Sequence, residues 1–274
     1  MKISDLNYKA KQIRATVFKM ALNAKVSHLK GSMSCIDILV ALFNTKIKFN
    51  VKNIKCDFRD RFIFSNGHNC SALYAVMADI GFFPKQWLKK YCVSNFHLPM
   101  HPCAQMLDKI EFSAGSLGHG LGVGTGISYA LKLKNNNAKT YVLMSDGECN
   151  EGSVWEAAMY AAAKKLDNIV AIVDNNKIQA VGRTLETMGD TYLADKFKAF
   201  GWISKTVNGN NIQEVVTVLN ELDFNKGKPN VIIAETTAGY GLSFMEDELF
   251  WHYKVPSEDD YRKALNELNV NPLF

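Results

Sequence analysis

Asp146 and Asn176 stand thirty residues apart, each just past a short apolar run. Residues 140–144 (Thr-Tyr-Val-Leu-Met) precede Ser145-Asp146-Gly147-Glu148, and residues 169–173 (Ile-Val-Ala-Ile-Val) precede Asp174-Asn175-Asn176-Lys177-Ile178. Both runs read as strands, and the alanine-rich stretch Trp155 to Leu166 between them reads as a helix. In parallel α/β sheets, ligands bind at the carboxyl ends of strands, where both polar residues fall. One carboxylate, one carboxamide and a nearby backbone carbonyl suit a hard cation such as magnesium, which also takes phosphate oxygens and water. The chemistry this predicts is a metal–diphosphate site. A turn at Asp146-Gly147 and a helix cap at Asn175-Asn176 account for either segment alone. Their pairing in one strand–helix–strand unit favours the site.

Gly115, Leu117 and Gly118 form a second candidate, because glycine lets backbone approach an anion and a helix amino terminus favours negative charge. Glycines at 118, 120, 122, 124 and 126 do not fit the dinucleotide fingerprint, and close helix packing is an alternative for the later ones. There is no Walker-type phosphate loop. His28, His68, His101 and His252 can donate or accept protons near neutral pH, although a structural role would account for any one of them. His97, His101 and Cys103 invite a zinc reading, but Pro99 prevents a helical arrangement of the histidines. Glu151 and Glu156 fall on the first turns of the helix after the metal loop, where acid is favourable in any case.

The elements that must position these residues alternate between β and α. Residues 4–27 read as an amphipathic helix, and Ser34 reads as the cap of a helix from Cys35 to Phe43. Phe62–Phe64 reads as a strand, Ser71 to Ile80 as a helix, and residues 92–114 as irregular. A helix is expected from Ser116-Leu117 to Leu133, strands at 201–204 and 231–234, and helices at 212–222 and 258–268. The fold class expected is α/β, a doubly wound parallel sheet flanked by helices. Residues 1–274 are taken as one domain, with 240–274 as its C-terminal extension. With 274 residues and 47% apolar content the chain can bury a large core. A net charge of +5, with Lys and Arg scattered among acids, excludes a nucleic-acid partner. No apolar run is long enough to span a bilayer, the start lacks a signal-peptide core, and six cysteines show no C-x-x-C pair. A cytoplasmic location is expected, with no membrane partner.

The run from Asp146 to Asn176 resembles the thiamine diphosphate signature, Gly-Asp-Gly followed after about thirty residues by Asn. The wider blocks resemble transketolases: residues 146–158, His28 to Leu39, Asp60 to His68, Gly115 to Gly120, and Trp251-His252, all in the family's order. The resemblance implies thiamine diphosphate with Mg2+ (or Ca2+) as cofactors, the metal held by Asp146, Asn176 and the Ile178 carbonyl. It implies that His68, Gly115, Leu117, Gly118, Gly147, Glu148 and His252 lie against the cofactor, with His119 adjacent to it. It places His28, His101 and His252 at sugar hydroxyls or carbonyl, and Glu151 and Glu156 in an acid network across a subunit interface. The activity implied is transferase: a two-carbon ketol unit passes from a ketose to an aldose, both sugars or sugar phosphates. The glutamate that activates the cofactor lies, in the family, on a following domain. The chain therefore looks like the N-terminal subunit of a split transketolase, expected to pair with a C-terminal subunit in an α2β2 heterotetramer.

Three departures from the family pattern stand out: Ser145 for the first glycine of Gly-Asp-Gly, Lys30 two residues after His28, and Met100 before His101. The last two suggest an altered acceptor pocket suited to a specialised sugar. Other thiamine enzymes, namely a 2-oxoacid dehydrogenase α subunit or a deoxyxylulose phosphate synthase, remain as alternatives, as does a non-catalytic subunit. The missing glycine fingerprint leaves a nicotinamide enzyme well behind these.

Overall fold

A computed structural model of the chain describes residues 1–51 and 53–274. The chain opens with α1 (Ile3–Ala24), ended by Lys25 in the left-handed conformation, then α2 (Leu29–Ser34) and α3 (Ile36–Thr45). Strand β1 (Arg61–Phe64) leads into α4 (Cys70–Asp79), and residues 92–114 carry neither helix nor strand. Helix α5 (Gly120–Leu133) precedes β2 (Thr140–Ser145), α6 (Gly152–Ala163) and β3 (Ile169–Asn175). The rest is α7 (Thr184–Met188), α8 (Leu193–Ala199), β4 (Ile203–Asn208), α9 (Ile212–Asn220), β5 (Asn230–Glu235) and α10 (Glu258–Leu268).

The five strands form one sheet in the order β1-β2-β3-β5-β4, every pair parallel. Alternate residues of each strand feed two separate cores. Tyr141, Leu143, Val170, Ile172 and Ile232 join the helices α1, α3, α4 and α9 on one face, while Val142, Met144, Ala171, Val173 and Ile233 join α5, α6 and α8 on the other. Burial on both faces explains why the strands read as continuous apolar runs rather than alternating ones. The register sets Ser145 beside Asp174 and Asn175 beside Glu235, so the polar residues after β2, β3 and β5 gather along one sheet edge. Arg14 bridges α1 to Asp37 of α3 and donates from Nε to the Tyr240 carbonyl at 2.9 Å, which pins the segment after β5 to the same end. Helix α10 starts with a Ser257–Asp260 capping box, and Tyr261 stacks on Phe18 of α1. Among the described residues, no helix is long and apolar enough to cross a membrane.

Two expectations need correcting. Ser34 closes α2 instead of capping the next helix, and its hydroxyl reaches Asp174 Oδ2 at 2.6 Å. Helix α5 begins at Gly120, not at Ser116-Leu117, because Gly118 has φ +85° and breaks the helical path. Helices α7 and α8 were not expected; α7 is a single short turn, and α8 sets only Leu193 and Phe197 into the core.

Candidate active site

A cavity of about 470 Å³ opens at the carboxyl ends of β2 and β3. Asp146, Gly147, Asn176 and Ile178 line one side, Gly115 and Leu117 another, and His28, His68 and His252 a third. The sheet register brings the metal candidates together: Asp146 and Asn176 are the first residues past the ends of β2 and β3. Asp146 is buried, and burial raises its carboxyl pKa against the pull of hydrogen bonds from Thr184 and the local backbone. Thr184 Oγ1 donates to Asp146 Oδ2 at 2.7 Å. Asn176 Oδ1 accepts the Ile178 N–H at 3.1 Å, and its Nδ2 reaches Ser34 Oγ at 3.3 Å. Asp174 lies behind them, bonded by Ser34 and Thr236, with burial pushing its pKa up to about 7.

The three histidines pack ring to ring. Ring centroids are 5.0 Å apart for His28–His252, 6.0 Å for His28–His68 and 6.4 Å for His68–His252. His28 takes the left-handed conformation at φ 66°, and its N–H donates to the His252 carbonyl at 3.2 Å. Its Nδ1 meets Ser27 Oγ at 3.1 Å. Desolvation, then the neighbouring rings, hold His68 down to about 3. Desolvation, His28 and Lys30 hold His252 down to about 4. His28 is lowered by burial and by His101, and His101 by burial. The rings are therefore neutral at neutral pH, and their unprotonated nitrogens can accept a hydrogen bond. His101 stands beside Gly115, at the edge of this group.

Gly118, Glu148 and Glu156 fall outside the cavity wall. Glu148 is fully buried and accepts from Ser65 Oγ and from the Gly118 N–H at 2.9 Å, so it anchors the Gly115–Gly118 loop from behind. A Cβ on Gly118 would strike Glu151 and Ser153, and the Ser153 hydroxyl donates to the Gly118 carbonyl at 2.8 Å. Glu151 lines the cavity mouth, whereas Glu156 is exposed on α6. His97 is taken up elsewhere: it stacks on Trp87 at 4.8 Å, and its Nδ1 meets the Met106 carbonyl at 2.9 Å. Among the described residues, no three His, Cys, Asp or Glu side chains gather as metal ligands. Ser145 ends β2 without a positive φ, so serine costs nothing at the first position of the motif.

The donor set fits a metal diphosphate. A single carboxylate with one carboxamide leaves a divalent cation short of ligands, and phosphate oxygens supply them. Inside the same cavity Lys30 Nζ and Asn69 Oδ1 are buried without partners, which suits an anionic, hydrogen-bonding guest. The sequence marks Ser34 only as a helix cap, and it does not mark Asn69, Asp174 or Thr184 for the site. Asp174 begins the Asp-Asn-Asn run and offered a signal. Thr184 offered none, because a folded turn from Ile178 to Arg183 brings it to Asp146.

Residues 7–273 match the family described as transketolase, thiamine diphosphate binding domain. The chain is 36% identical over 269 residues to an apulose-4-phosphate transketolase subunit of Phocaeicola vulgatus, covering 98% of this chain and 95% of that protein. It is 39% identical over 265 residues to the protein of the same name from Actinobacillus succinogenes, covering 96% of each. A 6-deoxy-6-sulfo-D-fructose transketolase subunit of Clostridium is 34% identical over 264 residues, with 96% of each covered. Among solved structures, a transketolase variant of Pichia stipitis superposes with a TM-score of 0.90 at 26% identity, and the Campylobacter jejuni transketolase with 0.89 at 27%. Both cover 100% of this chain, but the chain spans only 42% and 44% of theirs. The chain thus belongs to the transketolase family, as its thiamine diphosphate-binding part.

Proposed function

We propose that this chain is the diphosphate-binding subunit of a split transketolase, working in the cytoplasm with a C-terminal subunit in an α2β2 assembly. Residues 1–274 act as one domain, with 240–274 as its extension. The observation that carries the reading is the convergence of Asp146, Asn176 and Ile178 with three neutral histidines, packed edge-on and tilted, in one cavity. Asp146, Asn176 and the Ile178 carbonyl would hold Mg2+ (or Ca2+), and His68, Gly115, Leu117, Gly147 and His252 would surround thiamine diphosphate, with Gly118 and Glu148 bracing the Gly115–Gly118 loop behind it. When bound, that cofactor supplies the carbanion chemistry that lets a two-carbon ketol unit leave a ketose for an aldose.

This chain's own residues bind and orient the sugar. The Ser27 contact at His28 Nδ1 leaves Nε2 for a sugar hydroxyl, with His101 and His252 beside it. Burial keeps these rings unprotonated, so each can accept a hydrogen bond from a sugar hydroxyl and orient it. Glu151 and Glu156 would meet the second copy across the subunit interface. The relatives named for apulose-4-phosphate and for 6-deoxy-6-sulfo-D-fructose act on uncommon sugars, which supports a specialised substrate here too. The six unpaired cysteines agree with a reducing compartment.

The test is reconstitution with the C-terminal partner and a panel of ketose donors. Asp146→Ala should abolish Mg2+-dependent binding of thiamine diphosphate, followed by calorimetry, and reduce ketol transfer by about a hundredfold or more. Unchanged transfer in that variant would refute the catalytic reading.

A further inference from the structure

Lys30 sits on α2 and is 2% exposed, yet its Nζ has no hydrogen-bond partner. Its backbone is fixed, since its carbonyl accepts the Gly239 N–H at 3.0 Å. Two carboxylates lie within electrostatic reach, and neither is available as a partner. Asp247 is paired with Arg183 at 2.7 Å, and Asp146 accepts from Thr184 Oγ1 at 2.7 Å. Desolvation depresses the ammonium pKa to about 8, with Asp247 and Asp146 opposing and Arg183 adding to the shift. A buried ammonium without a counter-charge is costly, and the chain carries it in the wall of the cavity that holds Asp146 and Asn176. A diphosphate bears more negative charge than one divalent cation cancels, and lysine is an effective point charge for phosphate.

We propose that Lys30 Nζ binds a phosphoryl oxygen of the cofactor's diphosphate, as a cofactor-binding residue outside the Asp146–Asn176 motif. The inference rests on the thiamine diphosphate reading of the site. It also reassigns Lys30, which the sequence placed at the acceptor sugar. A sugar phosphate would offer the same oxyanion chemistry, so the test must separate the two sources.

The full chain, wild type, Lys30→Met and Lys30→Arg, is titrated calorimetrically with inorganic pyrophosphate, thiamine diphosphate and unphosphorylated thiamine, each with Mg2+, and with ribose phosphate. Melting of the ligand-free chains is followed in parallel. Lys30→Met should weaken pyrophosphate and thiamine diphosphate by about tenfold or more, as for loss of a charge-assisted hydrogen bond. It should leave thiamine unchanged and raise the ligand-free melting temperature, because an unpaired buried charge is gone. Lys30→Arg should keep most of the phosphate affinity. Equal binding of both diphosphates by Lys30→Met and wild type would overturn the proposal, as would a loss confined to ribose phosphate. A Lys30→Met chain that melts lower would also overturn it, since that marks a structural role. A wild-type chain, alone and with its partner, that ignores Mg2+–thiamine diphosphate would instead overturn the functional reading, and this inference with it.

Discussion

At the scale of single residues, the site is governed by what burial does to charge. His68 and His252 are held at about 3 and about 4, whereas the same rings in the unfolded chain titrate near ~6.5. Between those values the unfolded chain binds more protons than the folded one, so stability must fall as pH drops from ~6.5 toward ~4. Asp174 works in the opposite direction. Its pKa is raised to about 7 from the model-peptide range near ~3.9, so its stabilising share is full below ~3.9 and is lost as pH rises through about 7. Comparing variants isolates the histidine share: His68→Gln should flatten the acid limb of the urea-midpoint profile of the ligand-free chain. An acid limb as steep as that of the wild type would show that His68 is not its source. That Asp146, Asn176, His28, His68 and His252 share one cavity was legible, because their types and flanks mark them as a set. Lys30 and Asp174 were only half legible: the sequence shows a lysine and an aspartate, but only the fold shows that one is unpaired and the other is bonded to Ser34 and Thr236.

At the scale of elements, α5 shows how a helix positions a cofactor loop through its glycines. A Cβ on Gly120 would collide with Ser65 Oγ, and one on Gly124 with Val142, while Gly122 and Gly126 look onto open space. Ser65 Oγ accepts the Gly120 N–H at 3.0 Å and donates to Glu148, which in turn holds the Gly118 N–H. Gly120→Ala should therefore disturb the whole relay, with a loss of about 1–3 kcal/mol from overpacking and weaker thiamine diphosphate binding. Gly126→Ala should instead stabilise the chain by about 0.5–1 kcal/mol through helix propensity alone. Chemical denaturation of the two variants checks both signs, and a stabilised Gly120→Ala would break the argument. The every-second spacing of the glycines told half of this story. Positions four apart share a helix face, but the sequence does not say which face meets the sheet. The strands were legible because burial on both sides leaves uninterrupted apolar runs. Helices α7 and α8 were not, because both are short and carry large exposed side chains, among them Leu185 and Met188.

At the scale of the whole molecule, alternating β and α segments pointed to a doubly wound parallel sheet, while the strand order stayed hidden because no residue pattern encodes which strand inserts between two others. The insertion of β5 between β3 and β4 brings the segment after it, and with it His252, to the ends of β2 and β3. An exposed apolar patch lies beside the cavity, with Met188 and Tyr253 in the cavity lining. Val181 is 85% exposed and Phe250 71%, and Leu185, Met188, Tyr192 and Tyr253 are exposed on the same two segments, which the Arg183–Asp247 ion pair joins. Scattered exposed apolar residues are ordinary, but several on two tethered segments beside an active cavity mark an interaction surface. On the split-enzyme reading proposed above, the partner subunit would approach the cavity mouth to complete the cofactor site. Phe250→Asp should weaken association with the C-terminal subunit by about tenfold or more, since burying an unpaired carboxylate in an interface core costs several kcal/mol. The ligand-free chain should melt as the wild type does, because the ring is already in water. Sedimentation of the mixed subunits measures the first effect and scanning calorimetry the second. A variant that assembles normally would place the partner on another face and leave the mouth open to substrate alone.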